Sequence, residues 1–585
     1  MPWRNLRHTN SMSMWFYDSE CFVQDWLFCF VNPHTREEVV IWNDADRLRK
    51  FHKAHENEIF VGYNSTHYDA PLMKAIICGF DAWEMNQHII VKDEPWWKFS
   101  SLLNKVKLIN YDTMSIFHSL KQLEGFQGHN IHETSVDFNI QRKLTEKERQ
   151  ETVKYCLNDV YECINVFLEK IDDFNAHIGM IKEFNLPIED LSLTKAQMIA
   201  EILGAKRVKR NDQWNLRLPE TLQLGKYQWI ADWYMNPENH DYSKKLTANV
   251  AGCECVFAWG GLHGSRTKYH DKGEFLMIDA ASLYPTLMIQ YNLHSRSIVD
   301  PQKYVEIYET NLRMKAEKNP ARPVYKLICN TTYGCMGNPQ SKMYDKLHAN
   351  LVCIFGQMLL LDLTEKLESV CDIWNLNTDG VGVKLRRPED RAEVERIVKD
   401  FEKRSRLTFE FDEFCEVHVK DVNNYVIVTK DGKLKSKGAY VKPWQKKSGE
   451  ELLLDYDMPI LREALTNAMV YGVPVERTIV ECNDLRKFQK IVKVSSKYKW
   501  VEHEYGGGRI RYDNKCYRVF ASNDKRDGRI LKCDGVRNPA KFGGTSDNCF
   551  IFNDDLTGVS VPEKLDRQWY IDLAKKRLED FGVSA

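Results

Sequence analysis

Asp18 and Glu20 form a pair of carboxylates at a spacing that suits a divalent metal ion. The two acids lie two positions apart in a segment with the apolar pattern of a strand, so the period of two directs both side chains to one face. Carboxylates that share a face repel each other unless a cation lies between them, and Mg²⁺ or Mn²⁺ prefers such oxygen ligands. A D-x-E sequence alone is commonly only a solvated strand face, so the interpretation depends on further acids.

Two later segments supply those acids. Asn64 and Asp69 lie in NSTHYD, and Tyr155 and Asp159 lie in YCLND, where a helical spacing of four gives the second pair a common face. With the first two acids they would form a two-metal site that hydrolyses phosphodiesters, one ion generating hydroxide and the other stabilising the leaving oxygen. We interpret Asp112, in LINYDTM, as a structural residue.

A second pair of acids lies in the middle of the chain. Asp279 follows the apolar run FLMI, and Asp379 lies in NTDG between two strand-like halves, a pattern typical of a hairpin. Each acid, considered alone, is typical of a turn. Jointly they could meet at one sheet edge, bind two divalent ions, neutralise a nucleoside triphosphate and lower the pKa of an attacking 3′ hydroxyl.

The segment KLICNTTYG (326–334) lies between those two acids. On a helix Lys326, Asn330 and Tyr333 form one stripe, which sets an ammonium group for phosphate charge beside an aromatic ring on which a base pair could rest. The alternative is an amphipathic surface helix that ends at a Gly334 cap.

The N-terminal residues resemble the three exonuclease motifs of DnaQ-like 3′–5′ proofreading domains: D-x-E, N-x(2–4)-[YF]-D and Y-x3-D. The resemblance assigns the metal ions to four acids: Asp18, Glu20, Asp69 and Asp159. It further implies that Tyr155 orients the attacking water and that Asn64 contacts the primer end.

DAASLYP, K-x3-N-T-x-Y-G and NTDG resemble motifs A, B and C of family B DNA polymerases, most of all the compact enzymes of bacteriophages and mobile elements. Thr331 replaces a serine in motif B, and motif C departs from D-T-D-S at Asn377 and Gly380. In the family the second acid of motif C, here Asp379, is the metal ligand.

This resemblance implies that Asp279, Asp379 and the backbone carbonyl of Ala280 hold two Mg²⁺ or Mn²⁺ ions, two per active site. Tyr284 would lie under the deoxyribose and exclude a 2′ hydroxyl. The nucleotide-binding residues it implies are Ser282, Leu283, Tyr284, Arg313, Lys315, Lys326, Asn330 and Tyr333.

Two further segments resemble DNA-binding motifs of the same family. WGG (259–261) resembles the Y-x-G-G linker motif that contacts template, and KDVNNYVIV resembles the K-x-Y segment that holds the primer end, with Asn423 at the lysine position. A lysine-rich segment (430–447) follows and could supply the phosphate contacts instead. The DNA-binding residues implied, besides Asn64, are Trp259, Gly260, Gly261, Tyr425, Lys435 and Lys437.

Composition excludes several classes of protein. The chain has 585 residues, with 82 basic and 83 acidic side chains and a formal charge of -1, which excludes a uniformly basic nucleic-acid coat but allows a locally basic channel. No run of 18 apolar residues occurs, the N-terminus has no signal pattern, and the 16 cysteines include no C-x-x-C pair. We therefore expect a cytoplasmic protein with reduced thiols, in a bacterial host cell if it is phage-encoded, and no membrane partner.

The pattern of strands and helices predicts a multidomain α/β and α+β protein whose first domain is α/β. The resemblance implies that this domain is an RNase H-like exonuclease and that a right-hand palm, fingers and thumb follow it. The predicted boundaries are 1–185 exonuclease, 186–250 helical connector, 251–300 first palm part, 301–345 fingers, 346–440 second palm part and 441–585 thumb and C-terminal region.

The sequence thus predicts a template-directed DNA polymerase with a 3′–5′ proofreading exonuclease. We expect a monomer that binds primer–template DNA and dNTPs, with a helicase, clamp or single-strand-binding protein as candidate partners. Asp279 and Lys326 lie 47 positions apart (326 - 279), which leaves no room for the insertion of protein-primed enzymes and favours a nucleic-acid primer. Two alternatives remain open: an exonuclease whose degenerate polymerase half only binds DNA, and a reverse transcriptase, whose motif C would normally carry adjacent acids.

Overall fold

The computed structural model describes residues 13–114, 118–442 and 457–584, so Lys446 and Lys447 of the lysine-rich segment lie outside the described residues. Within these ranges the chain forms two compact units. One contains residues 13–194, 457–459 and 482–569, and the other contains residues 195–442, 460–481 and 570–584. Each unit is therefore assembled from segments that are far apart in the chain.

The N-terminal segment contains five strands and six α-helices among its described residues. They are β1 (Met14–Cys21), β2 (Trp26–Asn32), β3 (Glu37–Trp42), α1 (Ala45–Ala54), β4 (Ile59–Gly62), α2 (Asp69–Ile77), α3 (Ala82–Asn86), β5 (Ile109–Asp112), α4 (Leu120–Gln127), α5 (Glu146–Glu169) and α6 (Ile171–Phe184). The strands form one sheet in the order β3-β2-β1-β4-β5, in which β4 and β5 run parallel to β1 and the other pairs are antiparallel. The apolar start of β1 is buried throughout, as expected of a central strand.

The middle of the chain builds a larger sheet. Its elements are α7 (Lys195–Ile202), α8 (Gln228–Met235), β6 (Lys245–Val250), β7 (Cys253–Ala258), β8 (Gly261–Ser265), β9 (Tyr269–Ala280), α9 (Leu283–Gln290), α10 (Pro301–Ala316), α11 (Arg322–Met336), α12 (Lys346–Leu367), β10 (Cys371–Leu376), β11 (Gly380–Leu385), α13 (Asp390–Ser405), β12 (Phe409–Asp421), β13 (Asn424–Thr429) and β14 (Leu434–Lys437). The described strands form one nine-stranded sheet in the order β14-β13-β12-β9-β11-β10-β8-β7-β6. Strands from residues 245–280 and 371–437 thus share one sheet, and all of its β9 and β11 contacts are antiparallel.

Helix α12 is the core helix of this second unit. It is apolar and long enough to cross a membrane by composition, yet 94% of its most apolar window is buried inside the protein. Burial on all sides explains why its sequence is hydrophobic around its whole circumference.

The remaining elements are α14 (Pro459–Tyr471), α15 (Val475–Glu481), β15 (Lys490–Lys493), β16 (Trp500–Tyr505), β17 (Gly508–Tyr512), β18 (Cys516–Ala521), β19 (Asp527–Cys533), β20 (Ala540–Lys541), β21 (Cys549–Ile551) and α16 (Arg567–Asp580). The strands form two small sheets, β15-β18-β21 and β17-β16-β19-β20. Both belong to the same compact unit as β1–β5.

The mixed α/β, multidomain class predicted from sequence is confirmed, and so are the N-terminal strands, the helices after residue 144 and the hairpin around NTDG. Two local predictions are wrong. The segment 186–250 is not helical throughout, because the chain follows an irregular path between the short helices α7 and α8 and ends in β6. Gly334 does not cap a helix: α11 continues through it to Met336, since Cys335 and Met336 are buried and packing extends the helix.

Candidate active sites

An acidic cluster lies where β1, α2 and α5 meet. Glu20 and Asp69 are buried, Asp18 is half-buried, and Asp159 lies on α5 in an ion pair with Lys121. Ligand atoms of Asp18, Glu20 and Cys156 lie within 4.8 Å of one another. The structure thus brings the predicted D-x-E pair together with a thiol that the sequence motifs did not single out.

The carboxylates of this cluster repel one another, and a bound cation would stabilise them. Burial raises the pKa of Asp18, and the nearby charges of Asp69, Glu20 and Asp159 raise it further. Burial, followed by Asp159 and Asp69, also raises the pKa of Glu20, and burial raises the pKa of Asp69 to about 7. Four mutually repelling carboxylates with few internal donors are a donor set that fits hard divalent ions.

Lys121, on α4, is a site residue that sequence reasoning missed. Its Nζ donates to Asp159 at 2.7 Å and to Glu124 at 3.1 Å, and it lies 4.9 Å from the centre of the Tyr155 ring. Burial opposes the lysine charge, but Asp159 and Glu124 outweigh it and raise the pKa of Lys121. The lysine therefore fixes Asp159 and carries positive charge into the acidic cluster. Its only sequence signal is a basic residue on an otherwise apolar helix face.

The other predicted residues of this cluster occupy different positions. Tyr155 is close enough to Asp159, Glu20 and Asp18 for their charges to raise the pKa of its hydroxyl, after burial as the main cause. Asn64 is exposed and has a left-handed φ of 57°. Asp112 accepts from the backbone N–H groups of Asn64 and Thr66 and shapes that loop, which agrees with a structural role.

Asp69 is held by a residue inside the D-x-E motif itself. Ser19 Oγ donates to Asp69 Oδ1 at 2.5 Å, so the middle residue of β1 ties the start of α2 to the sheet. A serine between two acids gives no such signal in the sequence, because its partner lies 50 positions away.

A second acidic site lies on the nine-stranded sheet. A cavity of about 230 Å³ is lined by Asp279 at the end of β9 and by Asp379 in the β10–β11 turn, together with Asn377. The Ala280 N–H donates to the Asp379 carbonyl at 2.7 Å, and this bond joins the end of β9 to the β10–β11 turn. Burial and then the Asp379 charge raise the pKa of Asp279 to about 7. The hairpin geometry thus brings together the two acids that are 100 positions apart (379 - 279).

Basic and aromatic groups complete the lining of this cavity. Tyr425, Lys435 and Lys437 all line it, and Lys437 Nζ lies 5.9 Å from the centre of the Tyr425 ring. Lys437 faces Tyr425 across the β13–β14 pair, so an ammonium group stands beside this tyrosine although Asn423 occupies the position of the motif lysine. Asp412, on β12, also lines the cavity and accepts from Lys435 at 2.7 Å. Sequence reasoning missed it, because FEFDEF reads as an ordinary alternating strand.

Two predicted tyrosines stack on each other near the cavity. The rings of Tyr284 and Tyr333 lie 4.0 Å apart at an angle of 22°, and the Asp379 charge reaches Tyr284. Lys326 and Asn330 are exposed on the same helix as Tyr333, and within the described chain no carboxylate lies within 4 Å of the Lys326 ammonium. The stripe predicted on α11 therefore faces outward beside the tyrosine pair.

The remaining candidate nucleotide residues are not brought together in this way. Ser282 is exposed with a left-handed φ of 49° and precedes α9. Leu283 is buried against Gly356 and belongs to the core. Arg313 is exposed on α10, and Lys315 is paired with Glu410 at 2.9 Å.

The WGG segment forms the turn between β7 and β8. Trp259 is only 6% exposed and packs among the rings of Trp214, Trp233 and Tyr234. Gly260 is exposed, and a Cβ on Gly261 would lie 3.6 Å from Thr378 Oγ1 of the NTDG turn. The turn therefore contacts the acidic hairpin, and the tryptophan anchors it from inside the fold.

Comparisons with known proteins give matches among solved structures alone. No family model and no curated protein matches this chain. A solved structure described as that of the family B DNA polymerase from the hyperthermophilic archaeon Pyrobaculum calidifontis is 15% identical, covers 98% of this chain and 77% of its own, and gives a TM-score of 0.42. A likeness of that size carries no functional argument, so the function has to be argued from the residues.

Proposed function

We propose that the protein is a template-directed DNA polymerase with a 3′–5′ proofreading exonuclease. The observation that carries the proposal is the convergence of Asp279, Asp379, Tyr425, Lys435 and Lys437 on one cavity. These residues come from four separate segments of the chain. All five belong to sequence segments that resemble polymerase motifs or follow directly after one.

The carboxylates of the synthetic site fit a pair of Mg²⁺ or Mn²⁺ ions, because Asp279 is buried beside like charges that a cation would neutralise. Asp279, Asp379 and the Ala280 carbonyl would hold the ions. When bound, these ions polarise the triphosphate and acidify the 3′ hydroxyl of the primer.

The chain's own side chains orient the substrates. Lys326 is exposed without a described carboxylate partner and would bind the triphosphate of the incoming nucleotide. Tyr284 and Tyr333 would form the floor on which sugar and base rest. Tyr425 and Lys437 would hold the primer end, with the ammonium group on a phosphate. The reaction forms a bond between the 3′ oxygen and the α-phosphorus and releases pyrophosphate.

The acidic cluster of the other unit would carry the exonuclease. Its strand order, β3-β2-β1-β4-β5, is that expected of an RNase H-like domain. Asp18, Glu20 and Asp159 would hold the metal ions, Tyr155 would orient the attacking water, and Lys121 would keep Asp159 in place. Water attacks the terminal phosphodiester, and the 3′ nucleotide leaves as a monophosphate.

The proposal also assigns the parts of a right hand. The nine-stranded sheet would be the palm, and α10 with α11 the fingers. Residues 482–569 belong to the unit of the N-terminal sheet, so the proposed thumb is limited to residues 460–481 and 570–584.

A nuclease with a degenerate polymerase half is the second candidate function. Asn377 favours it, because this uncharged residue lines the cavity where the family carries an acid. The retained Asp279 and Asp379, with their shared cavity, argue for synthesis.

A labelled primer–template separates the two functions. With Mg²⁺ and all four dNTPs we expect extension, and without dNTPs stepwise shortening from the 3′ end. Shortening in both reactions, with tight binding but no extension even in Mn²⁺, would leave the degenerate polymerase half as the explanation.

Substitutions should separate the activities on one chain. Asp279→Asn or Asp379→Asn should reduce synthesis by roughly 10³-fold, because a metal carboxylate stabilises the transition state by several kcal/mol, and should spare degradation. Asp18→Ala with Glu20→Ala should do the reverse. Extension and shortening rates measured on each well-folded variant test this, and loss of both activities in any one variant would contradict two separate sites.

A further inference from the structure

A basic segment that none of the motifs covers lies beside the synthetic site. KRVKR (206–210) has four cations in five residues, and Lys206, Arg207 and Lys209 are exposed. The segment is fixed in place: the Lys206 N–H donates to the Ser297 carbonyl at 2.8 Å, and Arg210 donates to Ser297 Oγ and to the Arg296 carbonyl. Its cations are therefore presented from an ordered backbone.

Two cations in this region lie over tyrosine rings. The Arg207 guanidinium lies 5.5 Å from the centre of the Tyr344 ring, and Lys346 Nζ lies 4.3 Å from the centre of the Tyr242 ring. Among the described residues no carboxylate lies within 4 Å of either cation. Each cation is thus held by an aromatic face and keeps its hydrogen-bond donors free.

The acids nearest to these cations are already occupied. Asp345 and Asp212 both accept from Arg296, at 2.7 Å and 2.6 Å. That guanidinium joins the start of α12 to the loop after KRVKR, and its one positive charge offsets one of the two carboxylate charges. The surface formed by Arg207, Tyr344, Tyr242 and Lys346 is here called the cation–tyrosine surface. Its two cations and Arg296 outnumber the two acids, so the group keeps a net positive charge of one.

A column of stacked rings supports this surface. Tyr242 stacks on Trp214 at 4.6 Å, and Trp214 stacks on His240 at 4.9 Å. Asn350 donates to the Tyr242 hydroxyl at 2.9 Å and to the Gln213 carbonyl at 3.0 Å. Tyr242 is nevertheless 44% exposed, so part of a rigid aromatic ring is available to a ligand.

Helix α12 connects the surface with the tyrosine pair of the synthetic site. Lys346, Asn350 and Cys353 follow each other at steps of four and three, which places them on one face of the helix. Cys353 lies close enough to Tyr333 for each residue to affect the pKa of the other. The seven steps from residue 346 to residue 353 span about 10 Å at 1.5 Å per residue, so the surface begins about 10 Å along α12 from the tyrosine pair.

We propose that the cation–tyrosine surface binds the unpaired template strand. This inference rests on the proposed function: beyond the base pair being formed, only the template continues, and it continues as a single strand. Cations for the phosphates combined with exposed aromatic faces for the bases are the features by which proteins bind single strands without sequence preference. Arg207 and Lys346 contact phosphates. Because Trp214 stacks on one face of Tyr242 and Lys346 lies over the ring, a base stacks on Tyr242 when Lys346 turns from the ring to a phosphate.

The test compares two primer–templates by fluorescence anisotropy, without dNTPs and across a range of salt. One carries a template overhang of about 12 nucleotides, within the usual size of single-strand sites, and the other a single-nucleotide overhang. Arg207→Ala with Lys346→Ala should weaken binding of the long overhang about 10-fold. The plot of the logarithm of the binding constant against the logarithm of the salt concentration should also become less steep. Its slope should change by about 1.4, which is about 0.7 for each of the two lost phosphate contacts. Binding of the short overhang should be unchanged.

Lys399→Ala is the matched control, since Lys399 is an exposed lysine on α13 in the same unit, and it should leave both substrates unaffected. Arg207→Ala alone, at an exposed position, keeps the test valid if the double variant folds poorly. Equal loss on both substrates, or no loss on the long overhang, would overturn the proposal.

The contribution of stacking has its own readout. Tyr242→Leu should weaken binding of an oligodeoxythymidine but not of an abasic strand of the same length, and equal effects on both strands would refute base stacking. Primer extension distinguishes this inference from the proposed function. If the charge variants bind as expected but the protein extends no primer, the surface stands and the polymerase assignment fails. If the protein extends primers and its variants bind like the wild type, the surface is wrong.

Discussion

At the residue scale, the glycine in NTDG decides where the Asp279 carboxylate lies. Gly380 pairs directly with Asp279 across β9 and β11, and a Cβ built on it would lie 1.9 Å from Asp279 Oδ1. The carboxylate therefore occupies the space that any larger residue would fill. The glycine at position 380 and the position of the Asp279 carboxylate therefore depend on each other.

Gly380→Ala should impair synthesis more than folding. The new methyl group has to displace the Asp279 carboxylate and turn it away from the cavity, and it also lies within 3.1 Å of the Ile278 carbonyl oxygen, which has to shift by a few tenths of an ångström. We expect primer extension to fall at least about 10-fold, or roughly 1.4 kcal/mol in the barrier, with shortening unchanged. Gly543→Ala is the control, because its Cβ would meet nothing within 4 Å. Wild-type extension by the Gly380 variant would show that Asp279 does not need this position.

The raised pKa of Asp279 predicts a pH dependence of stability in metal-free protein. Its pKa is about 7 in the fold against an ordinary value of 3.8, so the folded state holds the proton more tightly. Its contribution is complete below pH 3.8 and is lost as pH rises to about 7. Asp279→Asn removes this term, so the melting temperature of the variant should exceed that of the wild type at pH 8, and the difference should shrink towards pH 5. Thermal melts in a chelator measure this, and a constant difference would contradict it.

At the element scale, Arg518 on β18 connects two distant parts of one unit. Its side chain is fully buried and donates to Gln489 and to the carbonyls of Gly125, His129 and Asp554. Burial lowers the pKa of Arg518 to about 10. The partners include the end of α4, so the small β15-β18-β21 sheet is fastened to the helix that carries Lys121.

Arg518→Met should destabilise this unit strongly. The substitution keeps much of the volume but leaves several buried carbonyls without donors, each costing about 1–3 kcal/mol. We expect a loss of about 3–5 kcal/mol in the free energy of unfolding, measured by chemical denaturation, and a greater loss of shortening than of extension. Arg529→Met, at an exposed ion pair with Glu504, should leave the stability almost unchanged, because solvent screens exposed ion pairs. Similar effects of the two substitutions would show that the buried arginine is not a structural tether.

At the scale of the whole molecule, the compact units do not follow the order of the chain. The cluster formed by Leu123, Phe126 and Ile131 includes Ile491 and Cys516 from the C-terminal third. The Ile131 N–H also donates to the Asn553 carbonyl at 3.0 Å. The apolar core of the unit that contains the acidic cluster is therefore complete only when residues 482–569 are present.

A fragment that ends at residue 194 should consequently fail to fold on its own. It would expose the apolar cluster and leave the partners of Arg518 and Asn553 unsatisfied. We expect aggregation or a broad, non-cooperative thermal transition, followed by circular dichroism, where the full chain melts cooperatively. A soluble fragment with a sharp transition and shortening activity would show that the N-terminal segment is independent.

The sequence by itself determined the local features. Period-two alternation identified β1 and placed Asp18 beside Glu20, the hairpin signal around NTDG located Asp379, and helical spacing gave the stripe of Lys326, Asn330 and Tyr333. These features depend on residues close in the chain, whose geometry follows from backbone periodicity alone.

Only the tertiary structure decided which distant groups meet. Lys121 reaches Asp159 from 38 positions away, and Asp412 enters the cavity from a strand that reads as ordinary. The tether at Arg518 and the cation–tyrosine surface likewise join segments whose sequences carry no common signal. The physical reason is that these contacts form only when whole helices and strands pack against each other. The partner of each side chain then depends on segments far away in the chain, which no local pattern describes.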